Sequence, residues 1–122
     1  MSLEIRKSTP DDVGTILGLI YKLAEYEKLT DMVTATEEQL QETMFCEQPY
    51  AHCQLAFWNG EPVGYALYFF NYSTFLAQPG LYLEDLFVVP ENRGNGIGKE
   101  LLLSLAREAK DRNCGRMEWR AL

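Results

Sequence analysis

Apolar residues recur along this chain with two different periods, and the changeovers between them divide it into elements. Val13, Ile16, Leu17, Ile20, Leu23 and Ala24 fall three and four apart, one stripe of a helix that runs to about Lys28. Its start is written in Thr9-Pro10-Asp11-Asp12: a threonine N-cap, a proline at the first helical position and carboxylates at the positive end of the helix dipole. Before it, Leu3 to Arg6 reads as a short strand. Thr36 and Gln39 have capping-box spacing for a second helix that ends near Phe45. After Pro49 the period falls to two. Cys53, Leu55 and Phe57 share one face of a strand ending at Asn59-Gly60, a hairpin signal, so a second strand follows from Val63 to about Tyr72. Asn71 to Gly80 reads as a loop. Leu81 to Val89 is apolar at nearly every position, the pattern of a strand covered on both sides, and Pro90 stops it. A glycine-rich turn, Arg93 to Gly98, then opens a helix to about Arg112 with Ile97, Leu101, Leu102, Leu105 and Ala109 on its buried face. Cys114-Gly115 ends that helix, and Met117 to Leu122 begins a further strand.

With 122 residues and 47% apolar side chains the chain can bury one core, and no repeat, low-complexity tract or linker divides it, so a single α/β domain over residues 1–122 is expected. No stretch approaches the ~20 apolar residues of a membrane-spanning helix. Met1-Ser2-Leu3-Glu4 lacks the basic and apolar regions of a signal peptide, which makes a cytoplasmic location the expectation. Cys46, Cys53 and Cys114 have neither an even count nor a C-x-x-C spacing, which argues against a disulfide framework or a zinc knuckle. The net charge of −7 argues against binding nucleic acid by bulk attraction to phosphate. Its distribution adds more: residues 1–50 hold four basic and ten acidic side chains, whereas residues 93–122 hold seven basic and four acidic. That polarity suits a cationic substrate and an anionic cofactor, although an ordinary solvated surface would look the same.

Arg93-Gly94-Asn95-Gly96-Ile97-Gly98 lies between a strand and a helix. Glycines let the backbone approach a ligand, and the first N–H groups of a helix lack internal partners, so the unit is a natural pyrophosphate site. A P-loop would need Gly at Arg93 and Ser or Thr at Glu100. A dinucleotide fingerprint needs G-x-G-x-x-G, whereas this spacing is G-x-G-x-G. A glycine-rich turn without a ligand is the remaining alternative.

The segment from Arg93 to Gly98 resembles the R/Q-x-x-G-x-G/A acyl-CoA motif of the GNAT superfamily of N-acetyltransferases, and the element order is similar to that fold along almost the whole chain. Leu81-Tyr82-Leu83-Glu84-Asp85-Leu86-Phe87-Val88-Val89 and Tyr26-Glu27 resemble the diamine (spermidine/spermine) acetyltransferase branch. The resemblance implies a mixed, mostly antiparallel central sheet flanked by helices. It implies that Leu86, Phe87 and Val88 offer backbone groups to the pantetheine arm of acetyl-CoA, and that Arg93, Gly94, Asn95, Gly96, Ile97, Gly98 and Lys99 hold its pyrophosphate. Tyr26, Glu27 and Glu84 match positions that meet the polyamine. Family members continue past the strand that begins at Met117 with a further helix and strands, including a tyrosine that protonates the departing thiolate, so the expectation is a domain truncated at its C-terminus. The resemblance further suggests a homodimer.

Read on its own, Glu84 is a carboxylate inside an apolar strand, costly unless it has a partner or a task. Asp85 is expected on the opposite face, which would prevent the two from acting as a dyad, and one of them is expected to be structural. An amine with a lysine-like pKa of ~10.4 needs about 4–5 kcal/mol to lose its proton at neutral pH, so a base helps, and the resemblance gives that role to Glu84. His52, the only histidine, sits beside Cys53 on a strand, so the two point to opposite faces and form no thiolate pair. No metal is implied, and no G-x-S-x-G is present. Tyr65, Tyr68, Phe69, Phe70, Tyr72, Phe75 and Tyr82 are read mainly as core, a few of them as candidates to line an ammonium pocket. The expected function is direct transfer of acetyl from acetyl-CoA to a primary amine of a small cationic acceptor, a polyamine, diamine or thialysine-like compound. The alternative is a noncatalytic acyl-CoA- or nucleotide-binding module acting as a sensor or subunit.

Overall fold

The computed structural model describes residues 2–120, and among them five strands form one sheet in chain order. They are β1 (Leu3–Lys7), β2 (His52–Trp58), β3 (Glu61–Ser73), β4 (Gln78–Val88) and β5 (Arg116–Trp119), with helices α1 (Val13–Glu27), α2 (Glu37–Met44) and α3 (Ile97–Asp111). The first four strands pair antiparallel with their chain neighbours, and α3 carries the chain back so that β5 lies parallel to β4. Four consecutive residues are buried on each of the middle strands, Cys53 to Ala56 and Val63 to Ala66, because helices cover both faces. On one face Gln54 meets Ser104 of α3, and Arg112 at the end of α3 lies 4.7 Å over the ring of Phe70. On the other face Tyr65 packs on Phe87, and Arg93 bridges from Phe87 to Tyr26 of α1.

Two helix starts fold as their sequences dictate. Gln39 N–H donates to Thr36 Oγ1 at 3.1 Å and Thr36 N–H donates to Gln39 Oε1 at 3.0 Å, the reciprocal box expected of that spacing. Pro10–Asp12 is one turn of 3-10 helix leading into α1. Its Asp12 carboxylate, buried, accepts from Arg6 Nη1 and Nη2 at 2.8 and 3.0 Å and from the Thr9 amide at 2.7 Å, tying β1 to the start of α1. The Arg6 hydrogen bonds, more than any other cause, lower this carboxyl to about 2.

The expected loop from Asn71 to Gly80 is instead the end of a long hairpin. β3 runs to Ser73 and β4 starts at Gln78, with Asn71 opposite Gly80 and Ser73 opposite Gln78. Asn, Ser, Thr, Pro and Gly mark turns in sequence, but here they pair as a ribbon whose Tyr72, Phe75 and Leu76 are exposed, so its pattern carries no apolar alternation. Gly80 serves close approach, since a Cβ there would collide with Asn71 Oδ1. A second correction concerns β4. Its first half is covered on both sides, but in its second half Glu84 and Leu86 are exposed while Phe87 stays buried, so only one face is covered there.

Candidate active site

Where β4 meets α3 the backbone is shaped by two left-handed glycines, Gly94 at φ +88° and Gly96 at φ +77°. Gly96 caps α3 and has no side chain to satisfy the helix start, and the first helical bond runs from Glu100 N–H to the Gly96 carbonyl. The amides of Ile97, Gly98 and Lys99 therefore lack helical acceptors, and the helix dipole adds partial positive charge at the same point. A Cβ built on Gly94 or Gly96 would meet nothing within 4 Å, so the space beside the turn is open. It forms a cleft of about 350 Å³ walled by Leu86, Val88, Arg93 and the three glycines. Asn95 donates from its side-chain amide to the Asn92 carbonyl at 3.1 Å and so shapes the turn. An anionic pyrophosphate fits this donor set.

The same strand builds a second cavity. Leu67 of β3 lies opposite Asp85 and Tyr68 lies opposite Leu83, which leaves Glu84 as the extra residue of a β-bulge. Burial still alternates through it, with Glu84 and Leu86 exposed and Asp85 and Phe87 turned inward, and both carboxylates border one cavity of about 240 Å³ together with Glu27 of α1. Leu23, Leu83, Leu86, Leu102 and Trp119 form its apolar wall, and Arg120 lines it as well. Leu86 is common to both spaces, so an anion cradle and an acid-lined pocket adjoin along β4.

The costly carboxylate is Asp85 rather than Glu84. Glu84 is exposed, whereas Asp85 is partly buried and accepts a hydrogen bond from the hydroxyl of the fully buried Tyr65 at 3.2 Å. Burial raises the Asp85 carboxyl above the ordinary aspartate range; the Tyr65 bond opposes that rise, and the charges of Glu84 and Glu27 add to it. No spacing in the sequence announces the Tyr65–Asp85 pair, because spacing does not show which residues of two strands become diagonal neighbours. Of the three residues expected to meet an acceptor, Glu27 and Glu84 share the cavity. Tyr26 does not line it; its ring lies 4.3 Å from the Arg93 guanidinium carbon and borders a separate space with Lys22, Glu25 and Glu91. His52 stacks against Tyr68 and Phe70, as a structural histidine would. Among the described residues no group of three or more His, Cys, Asp or Glu is placed to hold a metal ion.

A strand bulged at an acidic pair and continued into a glycine-rich helix start is the framework of an acyl-group transferase. The sequence model of the acetyltransferase (GNAT) family matches residues 20–121. The thialysine N-epsilon-acetyltransferase of Bos taurus is 45% identical over 121 residues, an alignment covering 93% of this chain and 71% of the relative. The spermidine/spermine N(1)-acetyltransferase-like protein 1 of Homo sapiens is 32% identical over 123 residues, covering 95% of this chain and 18% of that one. Among solved structures, an aminoglycoside acetyltransferase from an uncultured soil metagenomic sample superposes with a TM-score of 0.86 at 20% identity, covering 100% of this chain and 81% of that chain. The chain belongs to the acetyltransferase (GNAT) family, in its diamine acetyltransferase branch, and is an acetyltransferase acting on an amine.

Proposed function

We propose that the protein transfers acetyl from acetyl-CoA directly to a primary amine of a small diamine, thialysine-like or a polyamine. The observation that carries the reading is the junction at Leu86 of an anion cradle with a cavity lined by Glu27, Glu84 and Asp85. Acetyl-CoA would supply the activated acetyl group. The amides that open α3, with Arg93 beside them, bind the pyrophosphate, and Lys99 adds positive charge in the first turn. The backbone of Leu86 to Val88 offers hydrogen-bonding groups to the pantetheine arm. Three carboxylates in one small cavity favour a cationic acceptor, and the bound ammonium must lose a proton before its nitrogen can attack. Glu84, exposed on the bulge beside Leu86, takes that proton directly or through water. Asp85 is a second candidate for the same role, because burial raises its carboxyl toward the range where a base works near neutral pH. We place the protein in the cytoplasm as a homodimer, the latter tested by sedimentation.

Gly96→Val tests the donor half. The substitution puts a branched side chain at φ +77°, in the open space where a phosphate would lie. Calorimetry with coenzyme A is expected to show at least a tenfold loss of affinity, about 1.4 kcal/mol. Equal affinity in both proteins would remove the cradle from the proposal.

A further inference from the structure

A third cavity, of about 160 Å³, lies where β1 ends and β2 begins. It shares no lining residue with the acid cavity or the glycine-walled cleft. Lys7, Ser8, His52, Cys53 and Tyr68 form its polar wall, and Met44, Phe45 and Ala51 its apolar one. In a chain of net charge −7, none of the described residues that line it carries a carboxylate. Lys7 is the cation of this wall. Its Nζ reaches Glu108 Oε1 of α3 at 3.0 Å, but Arg112 Nε reaches the other oxygen of the same carboxylate, also at 3.0 Å. Two cations thus share one buried anion, and a unit of positive charge is left over. The Lys7 side chain is 61% exposed, so it can turn to a ligand while Arg112 keeps the carboxylate paired.

Nothing else in the wall offsets that charge. Burial and the charge of Arg112 hold His52 below the ordinary histidine value, with Glu108 opposing and Lys7 adding, so its ring is neutral near pH 7. Stacking on Tyr68 and Phe70 fixes the plane of that ring. Burial raises the Cys53 thiol and the Tyr68 hydroxyl, and both stay protonated. We propose that this cavity binds a small aliphatic monocarboxylate. The ammonium of Lys7 pairs with the carboxylate, Ser8 and His52 donate hydrogen bonds to it, and Met44, Phe45 and Ala51 take the hydrocarbon end. One surplus positive charge beside an apolar wall suits a monoanion and leaves a second negative charge unmatched. At ~30 Å³ per water the space corresponds to roughly five waters, which suits a ligand of about six non-hydrogen atoms.

His52 is the only histidine of the chain, so its ring C–H signals in proton NMR report on this cavity alone. At matched pH and ionic strength, sodium butyrate is expected to shift them saturably, with a Kd at or below about 1 mM. It is also expected to raise the pH at which His52 titrates, because a carboxylate beside the ring favours imidazolium. Butyramide has the same shape without the charge and is expected to give no saturable shift. Lys7→Met should weaken butyrate at least tenfold, and Ala51→Leu, which fills the hydrocarbon end, should remove saturable binding, with circular dichroism confirming that both variants are folded. Saturating coenzyme A should leave the butyrate shifts unchanged. Equal responses to butyrate and butyramide overturn the proposal, as does unchanged butyrate affinity in both folded variants. Displacement of butyrate by coenzyme A overturns it too, by placing the carboxylate in the cleft beside α3.

Discussion

Asp12→Asn probes the joint that fixes α1, and hence Glu27, against the sheet. The Asp12 carboxyl is lowered from 3.8 to about 2, chiefly by its hydrogen bonds with Arg6, so ionised Asp12 favours the folded state. At about 1.4 kcal/mol per pH unit the full shift corresponds to roughly 2–3 kcal/mol. The Arg6 side chain is 37% exposed and screened by water, which reduces the expected contribution to about 1–2 kcal/mol. Asparagine preserves the shape but turns an N–H donor toward a guanidinium that only donates. Urea unfolding at pH 7 should therefore show the variant less stable by about 1–2 kcal/mol, near the cost of a lost charged hydrogen bond. The sign of the pH dependence follows from the lowered value. Stability from this group is present above pH ~4, where the unfolded carboxyl is ionised, and is lost as pH falls through about 2. The gap between wild type and variant should narrow steadily between pH 5 and pH 2. A gap that stays constant across that range would show that Asp12 acts by packing and that the ion-pair account is wrong.

In the active site, Glu84→Gln is expected to lower turnover about 10²-fold while coenzyme A affinity is unchanged, and Asp85→Asn measured alongside decides which carboxylate takes the proton. Unaltered turnover and pH–rate profile in both would remove the base from the mechanism. Tyr65→Phe deletes the donor to Asp85 and leaves a partly buried acceptor unmatched, so a loss of about 1–3 kcal/mol is expected in thermal or urea unfolding near neutral pH. Because the Tyr65 bond holds the Asp85 carboxyl down, its removal moves that carboxyl further up, and any acid limb of kcat/KM that Asp85 controls should move to higher pH. An acid limb at the same pH in both proteins would show that Asp85 does not control it.

The helices and the glycine-rich turn were legible because their signals are local. A stripe at helical spacing, a capping box and a G-x-G-x-G turn involve residues within a few positions of one another, and the folded chain keeps each of them. The hairpin from Asn71 to Gly80 was not legible, because turn-prone residues and a solvent-exposed ribbon share one composition. The bulge at Glu84 was hidden for a different reason: it is decided by register against the partner strand, and nothing within Leu81 to Val89 states that register. Tyr26 shows the same limit at greater range: sequence places it beside Glu27, but on the last turn of a helix adjacent residues point about 100° apart. One reaches the acid cavity and the other reaches Arg93.

The two halves of the site are bound together by the geometry of β4. Pairing with β3 holds Ala66 opposite Leu86 and Gly64 opposite Val88, and a Cβ at Gly64 would come within 2.6 Å of the Phe87 carbonyl oxygen. Glycine at this position therefore lets the end of β4 close onto β3. The bulge at Glu84 falls immediately before this stretch, where two neighbouring carboxylates border one cavity. One strand thus carries an acid-lined cavity and a glycine-walled cleft on either side of Leu86, the adjacency that a direct transfer between two bound substrates requires.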